Sequence, residues 1–290
     1  MRFFKNEKLK KHTSFKIGGP ADYFCTVKSI DDIKAAISFA DEKRIPYTIL
    51  GEGTNLLVRD IGFRGLVINF SRGMDYLSIE GNKAVVGAGY KMNKLILLLV
   101  KRGFGGLEFL AGIPGSVGGA VVMNAGAWGK AIGKHVDSIR VIDHKGDEKI
   151  ISGKRLGFGY RRSKLQNGKL ILAEITLKLR RQNKKIGEKK IREYLGKRRE
   201  RHPLGIPNCG SVFKNPNGSY AAALIEDAGC KGTRIGDAQV SPKHANFIIN
   251  LGEAKSKDVL KLITVIKDRV RRKRGITLEP EVKIMVKSST

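Results

Sequence analysis

"GLEFLAGIPGSVGGAVVMNAGAWG", Gly106 to Gly129, decides how this chain is read: seven glycines fall within 24 residues, and apolar side chains fill most other positions. A mobile surface loop would carry Ser, Asn and Lys instead. Glycine accepts positive φ and lets other groups approach its Cα closely. An apolar stretch built this way is buried backbone laid against something flat or phosphorylated, or a turn packed tightly on a sheet. On this segment alone both readings stay open.

A second glycine-rich stretch, "LGEGTNLLVRD" (Leu50–Asp60), follows a short apolar strand, "YTIL". Backbone N–H groups of such a turn can cradle an anion. It is not the Rossmann dinucleotide fingerprint, because Leu56 stands where Gly51-x-Gly53 would need a third glycine. No phosphate-binding P-loop occurs either; "GKA" at Gly129 lacks the Ser/Thr and the upstream glycine.

Around these stretches the pattern is mixed. "GLVINF", "KAVVGAG" and the hairpin "SIRVIDHKGDEKII" read as strands. "SIDDIKAAISFADEKRI" opens on a capping serine with acids in its first turn and spaces Ile33, Ile37 and Ala40 along one face. "YKMNKLILLLVKRGF" closes on Gly103. A charged helical segment, Glu188 to Arg201, suggests a boundary. Beyond it come a short helix in "SYAAALIEDAGCKG", a strand in "HANFIINLG", an amphipathic helix in "SKDVLKLITVIKDRVRRKRG" and a last strand in "LEPEVKIMV". The expected class is α+β, and 290 residues suit two domains.

No apolar run reaches the roughly 18 residues of a membrane span, and no secretory leader pattern opens the chain. Cys25, Cys209 and Cys230 form no CxxC pair, so neither a disulfide framework nor a metal site is expected. These features are those of a reduced, cytoplasmic, soluble protein; a monomer is expected, though none of these features bears on oligomeric state. The charge is high: 56 Lys+Arg against 27 Asp+Glu gives +29. Its densest segments, Arg180–His202 and Lys267–Gly275, lack the interleaved aromatics of an RNA-stacking surface. Solvated basic faces or an anionic small molecule are preferred over nucleic acid.

"SFKIGGPADYF", "LGEGTNLLV", the Gly106–Gly129 stretch, "FGYRRS", "GSVFKNP", "LIEDAGCKG", "QVSPKHANFIIN" and "LEPEV" appear in an order that resembles the UDP-N-acetylenolpyruvoylglucosamine reductase family. The resemblance runs from about Thr13 to Val286, and the absence of an insertion between "FGYRRS" and "GSVFKNP" resembles the shorter, type II members. It implies an FAD-binding domain of the vanillyl-alcohol-oxidase (PCMH) type over residues 1–182. A smaller α+β substrate-binding domain follows over 183–290, with a final strand at 278–286. It implies a cytoplasmic step of peptidoglycan precursor synthesis. NADPH, the co-substrate, reduces a non-covalently held FAD, which then reduces the enolpyruvyl double bond of a UDP-sugar to give UDP-N-acetylmuramate.

The resemblance also implies roles for residues. FAD would lie on Gly51, Gly53, Thr54, Asn55, Leu56, Gly112, Pro114, Gly115, Ser116, Gly118, Gly119, Asn124 and Gly126. Arg161, which matches the family's active-site arginine, would hold the substrate carboxylate; a guanidinium does so through paired hydrogen bonds and keeps its charge. Glu281 in "LEPEV" would stabilise the enolate, protonated in the complex or donating through water; Glu279, two residues earlier, would face the same side of a strand. Ser211 would deliver the proton, since a carboxylate enolate is basic enough to take one from a weak acid. Cys209 is its rival, read as structural. Tyr160, Lys214 and Asn215 would line the substrate site. One of Arg198, Arg199 and Arg201 would meet the UDP phosphates, with the choice left open. Thr54, His202 and Asp237 depart from the family's usual residues. Two other classes remain on the table: an oxidase on the same fold with a covalent flavin, for which His12, His135 and His144 are poorly placed, and a nucleic-acid binder suggested only by the charge.

Overall fold

The computed structural model describes residues 1–285. The chain forms two compact units, each from three stretches: residues 1–4, 24–52 and 65–198 in the first, and 5–23, 53–64 and 199 onward in the second. The units do not follow a single boundary at 182/183. Apolar residues early in the chain are the reason: Phe15, Ile17 and Leu57 are buried in the core of the second unit, among Val212, Phe213, Ile225, Ile248 and Leu262.

The first unit contains a five-stranded sheet in the order Glu148–Ser152, Val136–Asp143, Leu170–Lys178, Lys83–Gly87, Leu77–Glu80. Every neighbour in it is antiparallel. A parallel pairing sets Tyr47–Leu50 beside Leu66–Asn69. Helix α1 (Ile30–Glu42) begins where the sequence says: the Ser29 side chain accepts from Asp32 N–H, and Ile33, Ile37 and Ala40 are buried. Helix α2 (Met92–Lys101) stops before Gly103, whose φ of +75° ends it. Helix α3 (Val117–Val122) is capped by Ser116, which accepts from Gly119 N–H. Helix α4 (Lys184–Arg201) is polar around most of its circumference; its buried positions are Gly187, Ile191 and Arg198.

The hairpin expected in "SIRVIDHKGDEKII" forms between Val136–Asp143 and Glu148–Ser152. Asp143 organises its turn, accepting from Lys145 N–H (2.9 Å), Asp147 N–H (3.1 Å) and Lys149 Nζ (2.6 Å). The Lys149 bond, helped by the two amides, holds the Asp143 carboxyl down to about 2, from an ordinary 3.8. A carboxyl depressed on folding adds stability above its unfolded pKa and loses it as pH falls through the folded one. Asp143→Ala is therefore expected to lower the urea midpoint near neutral pH. The gap from the parent should close as pH falls from about 4 towards 2. A gap that stays constant over that window would exclude this charge as its source.

The second unit holds a four-stranded sheet in the order Asn208–Ser211, Phe247–Asn250, Ala238–Val240, Arg234–Ile235. Helices α5 (Ala221–Asp227) and α6 (Ser256–Arg274) pack with it. The stripe read from the sequence, Val259, Leu262, Ile263, Ile266 and Val270, is the buried face of α6, and Gly275 (φ +69°) closes the helix. The last strand, Lys283–Met285, lies parallel to Leu56–Val58. It is shorter than the expected 278–286, and residue 286 lies outside the described residues. Residues 279–281 pair instead with the segment after Ser211: Lys214 N–H donates to Glu279 O (2.9 Å) and Glu281 N–H to Val212 O (2.8 Å). Among the described residues no helix is long and apolar enough to cross a membrane.

Candidate active site

In the first unit the two glycine-rich stretches converge. A Cβ on Gly51 would lie 2.8 Å from Ser116 Oγ, the atom that caps α3. No side chain larger than hydrogen fits there without displacing the cap. Gly112 (φ +78°) and Gly115 (φ +132°) flank Pro114 in conformations that suit glycine. Met92 N–H donates to Gly115 O. Gly118 packs against Ala88 and donates its N–H to Ala88 O (2.9 Å), and the Gly119 N–H goes to the Ser116 cap. Gly118 thus serves tight packing, one of the readings the sequence left open, and Gly119 serves the cap. In the second unit Gly53 (φ +62°) presses against His12 O, which a Cβ would approach to 2.2 Å. Thr54 follows, then Asn55, whose side chain donates to Glu281 O (3.3 Å), and Leu56 opens its strand.

Arg161 sits in a strained turn. Gly159 and Arg162 exchange backbone hydrogen bonds of 3.0 and 3.2 Å across Tyr160 and Arg161. Arg161 has φ +52°, the left-handed region that a type II turn normally gives to glycine. Holding a side chain there costs about 1–2 kcal/mol. Among the described residues seven non-glycine positions have positive φ, and Asn124, Trp128 and Arg161 are three of them. These three lie in two segments tied by hydrogen bonds: Arg161 Nη1 donates to Gly126 O (3.1 Å) and Asn124 Nδ2 to Gly159 O (2.8 Å). Strain concentrated in this way marks functional sites. Asn124 also accepts from Gly133 N–H (3.0 Å), so its amide is committed at both ends to the scaffold. The Arg161 guanidinium lies over the exposed Tyr160 ring, 5.3 Å from its centroid.

The structure separates the three arginines that the sequence could not. Arg199 and Arg201 are exposed, whereas Arg198 is buried in the first unit. Its Nε donates to Ala111 O (2.8 Å), and its Cδ occupies the space beside Gly112. Its Nη2 has no hydrogen-bond partner among the described residues. Burial, and then the positive charge of Arg161, weaken its hold on its proton. A second guanidinium near Arg161 with unspent donors suits an anion.

In the second unit the strand Asn208–Ser211 is bulged. Asn208 pairs with Ile249 and Ser211 with Phe247, so an extra residue enters on the Ser211 side. Gly210 carries the bulge at φ +77°. Asn208 Oδ1 accepts from Gly210 N–H (2.9 Å), and Ser14 Oγ donates to Asn208 O (2.6 Å). The bulge places Cys209 in the core and leaves Ser211 half-buried. Burial pushes the Cys209 thiol up to about 12, and the Glu281 charge adds to the rise. A thiol in that state is neither a nucleophile nor a ready acid at neutral pH.

Glu279 and Glu281 differ in setting, because pairing with residues 212–214 replaces the strand expected there. Glu279 is exposed and paired with Lys214 Nζ (2.5 Å), whereas Glu281 is half-buried beside Val212. Asn215 Oδ1 accepts from Ala221 N–H (3.0 Å) at the start of α5. Sequence reading missed Asn246. Its buried side chain makes both backbone hydrogen bonds of Phe213, at 2.9 and 2.8 Å, and its own carbonyl accepts from Val212 N–H. It thus stands in for a neighbouring strand behind Ser211. The signal was the polar residue inside the apolar run "HANFIIN". The unusual residues His202 and Asp237 have local roles: His202 packs on His244 and Phe247, and Asp237 binds Arg234 and Glu253 N–H.

A family model of the FAD binding domain matches residues 21–152, which places the chain among FAD-binding proteins. The model of the UDP-N-acetylenolpyruvoylglucosamine reductase C-terminal domain matches residues 202–285. Over 97% of this chain it is 46% identical to the UDP-N-acetylenolpyruvoylglucosamine reductase of Desulforamulus reducens, spanning 92% of that protein. It is 45% identical to UDP-N-acetylenolpyruvoylglucosamine reductase 2 of Symbiobacterium thermophilum, over 98% of this chain and 92% of that one. The crystal structure of the Thermus caldophilus reductase superposes with a TM-score of 0.84 at 36% identity, covering 99% of this chain and all of the other. The chain belongs to the UDP-N-acetylenolpyruvoylglucosamine reductase family. The expected α+β fold, with an FAD-binding domain preceding a smaller C-terminal one, is the one observed.

Proposed function

We propose that the protein uses NADPH and FAD to reduce UDP-N-acetylglucosamine-enolpyruvate to UDP-N-acetylmuramate in cytoplasmic peptidoglycan precursor synthesis. One observation carries the reading within this family: backbone pairing in the second unit sets the bulged Ser211 segment directly against Glu281. Of the residues expected to hold FAD, Gly51, Gly53, Thr54, Asn55, Gly112, Gly115 and Ser116 would hold it, and the positive φ of Gly53, Gly112 and Gly115 gives that backbone the turns a pyrophosphate cradle uses. When bound, FAD supplies the hydride that the enolpyruvyl carbon accepts.

The protein's own groups do the rest. As hydride reaches the terminal carbon, negative charge grows on its neighbour and spreads into the carboxylate. Arg161 holds that carboxylate, and Arg198 offers the buried donors for a second anionic group of the substrate. Ser211 gives its hydroxyl proton to the carbanionic carbon and is reprotonated from solvent. A weak acid suits this step, because it keeps its proton until the strong base forms. Glu281 supports the developing enolate. Lys214, Asn215 and Tyr160 contact the sugar nucleotide.

The test is anaerobic. Purified protein is reduced with NADPH, and the enolpyruvyl sugar nucleotide is then added. Flavin absorbance should return with formation of the lactyl ether. Flavin that stays reduced in the presence of that substrate rejects the reading.

A further inference from the structure

We infer that Gln166 is a positioning residue for the reaction, holding Arg161 in its left-handed turn; this rests on the carboxylate-binding role proposed for Arg161. Gln166 lies on the short 3-10 turn Lys164–Asn167. Its Nε2 faces Arg161 O at 2.9 Å, Val122 O at 3.1 Å and Met123 Sδ at 3.5 Å. All three are acceptors, so only the amide nitrogen can point at them, which fixes the side chain's orientation on chemical grounds. Ser163 Oγ donates to the same Val122 O at 2.6 Å. Gln166 therefore clamps the carbonyl of a residue whose φ of +52° the backbone would otherwise relax.

The clamp joins two places that matter. Val122 and Met123 end α3, directly before Asn124, which grips the other end of the same turn through Gly159 O. The Arg161 carbonyl is thus held from one side and the Gly159 carbonyl from the other. Rotation of the Arg161 peptide out of the left-handed region would carry the guanidinium away from Gly126 O, where Nη1 now rests. A displacement of about 1 Å in a substrate-holding group is enough to cost about 10²-fold in rate.

The experiment uses the full-length, FAD-loaded protein and separates the two half-reactions by stopped flow. Gln166→Ala is expected to slow reduction of the enolpyruvyl sugar by roughly 10–100-fold. Reduction of the flavin by NADPH should change by less than about twofold. Affinity for the product, read by perturbation of the flavin spectrum, should weaken, because the carboxylate clamp is misplaced. Gln166→Glu keeps the side-chain length but faces three acceptors with a carboxylate; it should show the same selective loss and serves if the alanine variant does not fold. The decisive comparison is made in an Arg161→Ala background, where removing Gln166 should cost nothing further; a merely structural role would give additive losses. If Arg161→Ala slows the second half-reaction and Gln166→Ala does not, or if the two losses add, the positioning role is wrong. If Arg161→Ala itself leaves that half-reaction intact, it is the carboxylate role of Arg161 that fails.

Discussion

A Ser211→Ala protein is expected to take electrons from NADPH at nearly the parent rate and to reduce the enolpyruvyl sugar about 10²–10⁴-fold more slowly. The selectivity follows from where the hydroxyl acts. Flavin reduction needs no proton at the sugar carbon, so removing the donor touches only the second half-reaction. Ser211→Cys should retain part of the activity, since a thiol can also give up a proton. Cys209→Ala should behave differently: that thiol is buried and pushed up to about 12, so its loss should lower thermal stability and spare both half-reactions. Single-turnover traces for the three variants decide the matter. Equal losses in both half-reactions of Ser211→Ala would falsify the assignment of the proton to this residue.

Removing the guanidinium at position 161 should lower kcat/KM for the sugar nucleotide by about 10²–10³-fold. Lysine should not restore it, because a single ammonium cannot reproduce the paired hydrogen bonds that a guanidinium gives a carboxylate. The turn adds a second, independent signature. Glycine is ordinarily the less stable replacement, but at φ +52° it avoids the penalty that any Cβ incurs. Arg161→Gly should therefore be more stable than Arg161→Ala by about 1 kcal/mol, although both are equally inactive. Thermal midpoints of the two variants measured side by side test this. An alanine variant as stable as the glycine one would mean that the backbone relaxes freely and that no strain is held there.

Much of this was legible in the sequence because the signals were local. The serine that caps α1 with the acids of its first turn, the stripe on α6 and the hairpin around Gly146 each lie within a window shorter than about 20 residues, the range over which periodicity speaks. The motif order carried the family. Harder to read were features made by distant partners. Glu279 and Glu281 look equivalent two residues apart in an expected strand; pairing with residues 212–214 gives one to Lys214 and solvent and leaves the other half-buried. The burial of Arg198 depends on a space left beside Gly112, more than 80 residues earlier. Gln166 and Asn246 act through side-chain amides on backbone groups, and such bonds leave no periodic trace. Within the Gly106–Gly129 stretch, Gly118 packs against Ala88, Gly119 donates to the Ser116 cap, Gly112 makes room for Arg198, and Gly112 and Gly115 hold backbone conformations that suit glycine.

The way the second unit gathers its core has a bearing on inheritance and engineering. Phe15, Ile17 and Leu57 lie among side chains drawn from Cys209 onward. A gene fragment beginning at residue 199 would encode the Ser211 bulge and Glu281 but not three of the apolar residues that pack behind them. Exchange of that fragment between relatives would succeed only where the short early stretches travel with it or happen to match in shape. The C-terminal third is thus no detachable cassette, and recombination should respect the pairing of early and late segments more than any single crossover point.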